Sequence, residues 1–191
     1  MGLANWLTVL RILLIPVFVT LLVYRRPGEA LVVFALAALT DLLDGYVARR
    51  HGSQSRLGAF LDPMADKMLL ISSFVTLTWL HALPFWIAAV VISRDVILVV
   101  GALLIHMVGG RIHPRPTWAG KTATFLQIVT VLLGLSARYV GLPLALDIAM
   151  WLAAAFTVVS GLQYLVQGMR YLSVAPTDER DASSHETAFL R

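Results

Sequence analysis

Six long apolar runs limit what this chain can fold into more than any other feature of its sequence. They cover residues 7–24, 30–48, 64–83, 85–108, 122–140 and 145–169. As an α-helix, each run is long enough to cross the roughly 30 Å hydrocarbon core of a bilayer. The sequence therefore predicts an all-α fold, an integral membrane bundle of six transmembrane helices.

The composition agrees with that prediction and excludes several other classes of protein. Of the 191 residues, 59% are hydrophobic and 14% are charged, and the mean hydropathy of +0.81 lies above the range of ordinary water-soluble domains. The net charge of +4 comes from basic residues spread between the apolar runs, so it indicates membrane topology and no nucleic-acid partner. Without cysteine, disulfides, thiolate metal sites and a cysteine nucleophile are excluded.

The breaks between the runs predict how the chain is arranged in the membrane. They are short and contain Gly and Pro, so neighbouring spans should run antiparallel. Both chain ends and the loops after the second and fourth runs then share one side. Because that side holds most of the Lys and Arg residues, we expect it to be cytoplasmic.

Domain organisation and localisation follow from the same pattern. Residues 1–174 are predicted to form one membrane domain, and the polar residues 175–191 to form a disordered cytoplasmic tail. The first run has no basic segment before it and contains Arg11, so we expect it to be retained and not cleaved as a signal peptide. The expected protein is multi-pass, in a bacterial inner membrane.

Four aspartates form the pattern that carries the chemistry. Asp41 and Asp44 lie three residues apart near the end of the second run, and Asp62 and Asp66 lie four apart at the start of the third. These spacings place each pair on one face of a helix. The short connection at residues 49–57 would hold the two faces side by side at the cytoplasmic end, so we expect the four carboxylates to converge.

Such a cluster needs a compensating charge. Each Asp costs about 2.5–3.5 kcal/mol inside a bilayer on insertion scales, and four close carboxylates repel one another. Divalent cations would offset both costs, and oxygen ligands without Cys or His favour Mg²⁺ or Mn²⁺. A carboxylate-based membrane cation transporter is the alternative. Its site is expected near the membrane midplane, and it gives no reason for Gly45, Ala48, Arg49 and Gly58 at fixed distances from the aspartates.

The complete motif resembles a known family. It reads Asp41-Leu-Leu-Asp44-Gly45-Tyr-Val-Ala48-Arg49, then eight residues, then Gly58-Ala-Phe-Leu-Asp62-Pro-Met-Ala-Asp66. Over these 26 residues it is similar at all eight defining positions to the signature of the CDP-alcohol phosphotransferases. The resemblance implies a six-helix membrane fold, usually homodimeric. It also implies an enzyme that takes CDP-diacylglycerol, transfers the phosphatidyl group to an alcohol and releases CMP.

The same resemblance implies a role for each motif residue. Two metal ions would be held by the four carboxylates of Asp41, Asp44, Asp62 and Asp66. Asp66 would also be the catalytic residue, a general base that removes the proton of the acceptor hydroxyl. The CDP moiety of the donor would be held by Gly45, Ala48, Arg49 and Gly58.

Shorter matches concern the acceptor alcohol. The segments Asn5-Trp-Leu-Thr8-Val-Leu-Arg11, Ser93-Arg94-Asp95 and Gly120-Lys121-Thr122 resemble the branch that makes phosphatidylglycerophosphate and cardiolipin. By that resemblance the acceptor phosphate would be bound by Thr8, Arg11, Arg94 and Lys121, and Arg suits this role geometrically. The structural alternative for Arg94 is an ion pair across the bundle. Asp95, adjacent in sequence, is expected to face elsewhere.

Two glycerol-based acceptors stay open. Glycerol-3-phosphate would give phosphatidylglycerophosphate, but those synthases commonly carry a second Arg after a Gly-Leu pair, and this chain reads Gly101-Ala102-Leu103 there. The runs around Asp41 and Arg94 look more like cardiolipin synthases of the eukaryotic type, whose acceptor is phosphatidylglycerol. The same chemistry with inositol phosphate or serine is a further alternative.

Overall fold

A computed structural model describes residues 3–51, 56–107 and 117–174. Within those ranges, the side chains of residues 3–8, 41–51, 56–63, 102, 104–106, 138, 140 and 170–174 lie outside the description. The described backbone forms six α-helices: α1 Leu3–Val23, α2 Pro27–His51, α3 Arg56–Trp79, α4 Phe85–Met107, α5 Trp118–Val140 and α6 Pro143–Val174. The all-α prediction is confirmed, and the proposed tail at residues 175–191 lies outside the described residues.

Two of the helices contain segments long and apolar enough to cross a membrane. Within the described ranges these segments are Trp118–Ala137 in α5 and Pro143–Met169 in α6. Shorter apolar segments occur at Val9–Val23 and Pro27–Thr40. Large apolar side chains, among them Leu144, Trp151 and Leu162, are exposed along α6. That surface suits contact with lipid, whereas six crossings remain a prediction.

The ends of the helices follow local turn chemistry. Thr117 caps α5 with an extended backbone, and its side-chain oxygen accepts a hydrogen bond of 3.1 Å from the Gly120 N–H. Gly141, at φ 58°, ends the same helix in the left-handed region. Arg25 and His81 end α1 and α3 with φ 57° although neither is glycine. The helix ends near Pro27, Pro84 and Gly141 agree with the predicted breaks.

The connection between α2 and α3 is shorter than predicted. The sequence assigned residues 49–57 to a loop, but α2 continues to His51 and α3 begins at Arg56. The physical reason is that charged residues next to an apolar run do not end a helix, and the first glycine after α2 is Gly52. The motif residues on both sides of this connection therefore lie within helices.

Neighbouring helices alternate in direction. α1 packs against α2 and α3, and α6 packs against α4 and α5. Ser160 of α6 lies beside Gly120 of α5, and Thr157 one turn earlier bonds Gln127 two turns later, so α5 and α6 are antiparallel. This agrees with the antiparallel arrangement expected from the short connections.

Two levels of the bundle differ in character. The turn end consists of the connections α1–α2, α3–α4 and α5–α6, at residues 24–26, 80–84 and 141–142, with the apolar core beneath them. That core includes Phe18 and Phe34, whose ring centroids lie 5.7 Å apart. The polar layer, nearer the other end, consists of Arg11, Asp66, Lys67, Arg94, Asp95 and Ser160.

Candidate active site

Asp66 of α3 is joined to Arg11 of α1 by an ion pair. The Arg11 Nη1 donates to Asp66 Oδ1, and the Arg11 side chain is 1% exposed against 36% for Asp66. A buried guanidinium needs a carboxylate partner, because an unpaired charge in a low-dielectric interior is costly. The pair fixes one of the predicted acceptor residues beside the predicted base and leaves part of the carboxylate accessible.

The next residue along α3 turns to another helix. Lys67 Nζ lies 2.6 Å from Asp95 Oδ1 of α4, and Arg94 Nη1 lies 2.7 Å from the same oxygen. Asp95 and Arg94 are both buried. The expectation that Asp95 faces away from Arg94 is therefore wrong. Although consecutive helix residues point about 100° apart, the long Arg side chain can fold back, and in this buried setting the adjacent carboxylate is within reach.

Arg94 is also held from the far side of the bundle. Its Nη2 donates to Ser160 Oγ of α6 at 3.0 Å. Gly120 of α5 makes room for this contact: a Cβ placed there would lie 3.2 Å from Ser160 Oγ and 3.3 Å from Arg94 Nη2. A side chain at residue 120 would therefore press on the guanidinium and its partner. The absence of one lets three helices meet around Arg94.

Lys121, the next residue, is exposed at the first turn of α5. Its Nζ lies 5.9 Å from the centre of the Trp118 ring. Gly120 lies against the Arg94 guanidinium, so the backbone of Lys121, the next residue, is close to the polar layer. The Thr8 side chain lies outside the described residues, so the structure places only the Thr8 backbone, in α1.

Comparison with known proteins decides which family this arrangement belongs to. A family model described as CDP-alcohol phosphatidyltransferase matches residues 1–159, most of the chain. The chain belongs to that family. It is therefore a phosphatidyltransferase, and the resemblance read from the motif is confirmed.

Curated relatives of this chain carry two printed names. A protein of Pseudomonas fluorescens, a CDP-diacylglycerol--glycerol-3-phosphate 3-phosphatidyltransferase, is 41% identical over 178 residues, which cover 86% of this chain and 89% of the relative. A Haemophilus influenzae protein of the same name is 36% identical over 167 residues, 84% of this chain and 89% of the relative. A probable phosphatidylglycerophosphate synthase of Mycobacterium tuberculosis is 35% identical over 177 residues, 88% of this chain and 82% of the relative.

The signature of this phosphatidyltransferase is divided between two helices. Asp41, Asp44, Gly45, Ala48 and Arg49 belong to the second half of α2, and Gly58 and Asp62 to the first half of α3. The side chains of these seven residues lie outside the described ones, so their convergence stays a prediction. Asp66 is the signature residue whose side chain is described, and its contact with Arg11 joins the signature to one of the residues predicted to bind the acceptor.

The donor set of the signature fits a hard divalent cation. It consists of carboxylates, and Asp66 is accessible enough, at 36%, to reach a ligand beside Arg11. Among the described side chains there is no group of three or more His, Cys, Asp or Glu that could hold a metal. The other three predicted ligands are outside that set, so the metal site also stays a prediction.

Three residues of the polar layer, Lys67, Asp95 and Ser160, were not among the site residues predicted from the sequence. Lys67 carried a usable signal, since a charged residue inside an apolar run is by default a functional candidate. Asp95 is also a charged residue inside an apolar run, but its side chain was expected from the sequence to point away from Arg94. Ser160 carried none, because serine is common in membrane helices and its partner Arg94 is 66 residues away.

Proposed function

We propose that this enzyme is a phosphatidylglycerophosphate synthase, which transfers a phosphatidyl group from CDP-diacylglycerol to glycerol-3-phosphate and releases CMP. The observation that carries the proposal is that Lys67, the residue after Asp66, and Arg94 of α4 share the single carboxylate of Asp95. An acceptor with a terminal phosphate suits this surplus of positive charge beside the base. The names of the relatives from Pseudomonas fluorescens and Haemophilus influenzae support the same acceptor.

In the proposed reaction, Asp66 takes the proton of an acceptor hydroxyl. The hydroxyl oxygen forms a bond to the phosphatidyl phosphorus of CDP-diacylglycerol, and the bond from that phosphorus to the bridging oxygen breaks, so CMP leaves with the electron pair. Arg11 holds the Asp66 carboxylate in place. Asp66 is thereby kept where it can meet the hydroxyl while the acceptor phosphate is bound on the side of Arg94 and Lys121.

The remaining signature residues are assigned to the donor and to metal. Asp41, Asp44, Asp62 and Asp66 would hold divalent ions, Mg²⁺ or Mn²⁺, expected to number two. When bound, such ions would neutralise the negative charge of the diphosphate in CDP-diacylglycerol. Gly45, Ala48 and Gly58 would let the CDP moiety approach the backbone, and Arg49 would pair with its phosphates.

The setting proposed for this reaction is a homodimer in a bacterial inner membrane. Residues 1–174 would cross it six times, with residues 175–191 as a cytoplasmic tail and the site at the cytoplasmic face. The exposed apolar side chains of α6 support a lipid environment. The excess of basic residues at the same end as the signature supports the orientation.

One assay tests the proposed acceptor. Purified enzyme with Mg²⁺ receives radiolabelled CDP-diacylglycerol and either glycerol-3-phosphate or phosphatidylglycerol, and the lipid products are separated by chromatography. We expect phosphatidylglycerophosphate from the first mixture and no product after EDTA is added. Cardiolipin from the second mixture alone would contradict the proposal and favour the phosphatidylglycerol acceptor, which the runs around Asp41 and Arg94 resemble. Turnover unaffected by EDTA would contradict the metal assignment.

A further inference from the structure

Lys67 is the cation of the polar layer to which the proposed reaction gives no contact of its own, although it shares the carboxylate of Asp95 with Arg94. We propose that Lys67 binds the phosphate of the acceptor, and that Asp95 holds the Lys67 ammonium ready for it. This inference rests on the proposed function, because it concerns how glycerol-3-phosphate is recognised. It adds a binding residue on α3 next to the base.

The charges around Asp95 do not balance. Lys67 and Arg94 both contact the single oxygen Oδ1 of Asp95, so two positive groups share one negative group. Among the described side chains, the other polar contact of this cluster is with the neutral Ser160. A surplus positive charge that is largely removed from water is costly unless an anion compensates it. The dianionic phosphate of a monoester is a suitable anion.

Exposure identifies the member of the cluster that a ligand reaches most easily. The Lys67 side chain is 35% exposed, whereas Asp95 and Arg94 are 5% and 7% exposed. Arg94 is also fixed at two nitrogens, by Asp95 and by Ser160. The Lys67 ammonium has three donors on a flexible stem and uses one of them for Asp95, so it can turn others toward a phosphate.

The position of Lys67 matches the size of the acceptor. Asp66 and Lys67 are consecutive, with Cα atoms about 3.8 Å apart, and their side chains point to different neighbours, α1 and α4. Glycerol-3-phosphate has its reacting hydroxyl and its phosphate at opposite ends of a three-carbon chain. With the hydroxyl at Asp66, the phosphate reaches the side of α3 on which Lys67 meets Asp95.

The alternative is that Lys67 only compensates the charge of Asp95. A double-mutant cycle separates the two roles, using full-length enzyme in mixed micelles of detergent and lipid. The variants are Lys67→Met, which keeps length without charge, Asp95→Asn, and both together. Arg26→Gln is the matched control, because it removes one positive charge that is paired with Glu29 at the turn end.

We expect Lys67→Met to raise the KM for glycerol-3-phosphate about ten-fold or more while the KM for CDP-diacylglycerol stays within about two-fold of wild type. Lys67→Arg should recover most of the loss, and Arg26→Gln should change neither constant. Added to Asp95→Asn, Lys67→Met should again raise the KM for glycerol-3-phosphate. If Lys67 only compensated Asp95, this second addition would have no effect, and that result would overturn the inference.

Two other results would also overturn it. A rise confined to the KM for CDP-diacylglycerol would assign Lys67 to the donor phosphates. An unchanged KM for both substrates would leave it no binding role. If Lys67→Met fails to fold because it leaves Asp95 partly unpaired, the comparison of the double variant with Asp95→Asn carries the test. Failure of wild-type enzyme to use glycerol-3-phosphate would instead refute the proposed function, so the two failures are distinguishable.

Discussion

The turn end and the polar layer of this bundle are held together in opposite ways. At the turn end, apolar side chains fill the space between helices: the rings of Trp86 and Trp151 lie 4.9 Å apart, and Leu77 and Leu83 pack beside Gly134. In the polar layer, ion pairs and hydrogen bonds link α1, α3, α4 and α6. The helices are thus held by apolar packing at the turn end and by ion pairs and hydrogen bonds in the polar layer.

This difference indicates that the polar layer, and not the turn end, serves the function of the protein. Buried ion pairs contribute little net stability, because the cost of removing both charges from water offsets their attraction. Well-packed apolar residues would hold α1, α3 and α4 together as well as Arg11, Lys67 and Asp95 do. We therefore expect polar-layer substitutions that keep the shape and the hydrogen bonds of the replaced side chain to change catalysis more than stability, and substitutions at the turn end to do the reverse.

Asp66→Asn should give the largest effect on catalysis. Asparagine cannot take the hydroxyl proton and is a weaker metal ligand, so we expect kcat to fall about 10³-fold or more. Its side-chain oxygen can still accept from Arg11, and the variant should therefore fold. Phosphatidyl transfer from radiolabelled CDP-diacylglycerol measures the activity, and size-exclusion chromatography in detergent measures folding.

Glu29→Gln is the matched control for Asp66→Asn, since it removes one carboxylate at the turn end. Glu29 is exposed and pairs with Arg26 at 3.1 Å, so its loss should leave kcat unchanged. Turnover by Asp66→Asn close to that of wild type would contradict the assignment of Asp66 as the base.

Phe34→Ala should show the opposite balance. Phe34 is fully buried against Phe18, and truncation would leave a cavity between α1 and α2. We expect the free energy of unfolding to fall by about 3 kcal/mol, the lower end of the range for soluble cores, because packing rather than transfer from water drives helix association in lipid. Thermal unfolding in detergent measures the loss. A normal KM for both substrates below the melting temperature would confirm that the two levels are separable.

The sequence was a good guide to the helix ends at which an apolar run is bounded by proline or glycine, and a poorer guide between α2 and α3, where charged residues follow the run. Pro84 and Gly141 marked two of these ends correctly. Arg25 and His81 could not be foreseen as helix caps. Their left-handed backbone is stabilised by hydrogen bonds to carbonyls five residues earlier, from Arg26 to Leu21 and from Ala82 to Leu77, and not by the residue type itself.

The candidate site was predictable to the extent that its residues form a local motif. Asp66, Arg11 and Arg94 were identified from the sequence, and the structure joins Arg11 to Asp66. The partners of Arg94 were not identified, because Ser160 lies on α6 and a contact between distant helices leaves no local spacing to read. The direction predicted for the Asp95 side chain was wrong. Helix periodicity gives the direction of each Cα–Cβ bond, but it does not say that a long side chain such as that of Arg94 can fold back to the next residue.

Two glycines of α5 allow the finest comparison of the two levels. Gly120 lies in the polar layer, where an added Cβ would meet Ser160, Thr117 and Arg94 at 3.2–3.3 Å. Gly134 lies at the turn end, where an added Cβ would meet side-chain carbons of Leu83 and Leu77 at 3.5–3.7 Å, which is ordinary packing contact. The same substitution on the same helix therefore strains a charged contact in one place and fits in the other.

Gly120→Ala should move the Arg94 guanidinium and raise the KM for glycerol-3-phosphate by about three- to ten-fold, the equivalent of part of one charge-assisted hydrogen bond. Gly134→Ala should leave both KM values unchanged and, by favouring helix, raise the melting temperature slightly. Steady-state kinetics and thermal unfolding of the two variants, side by side, measure these effects. Equal KM values in the two variants would mean that Arg94 tolerates displacement, and the acceptor phosphate would then depend on other cations of the polar layer.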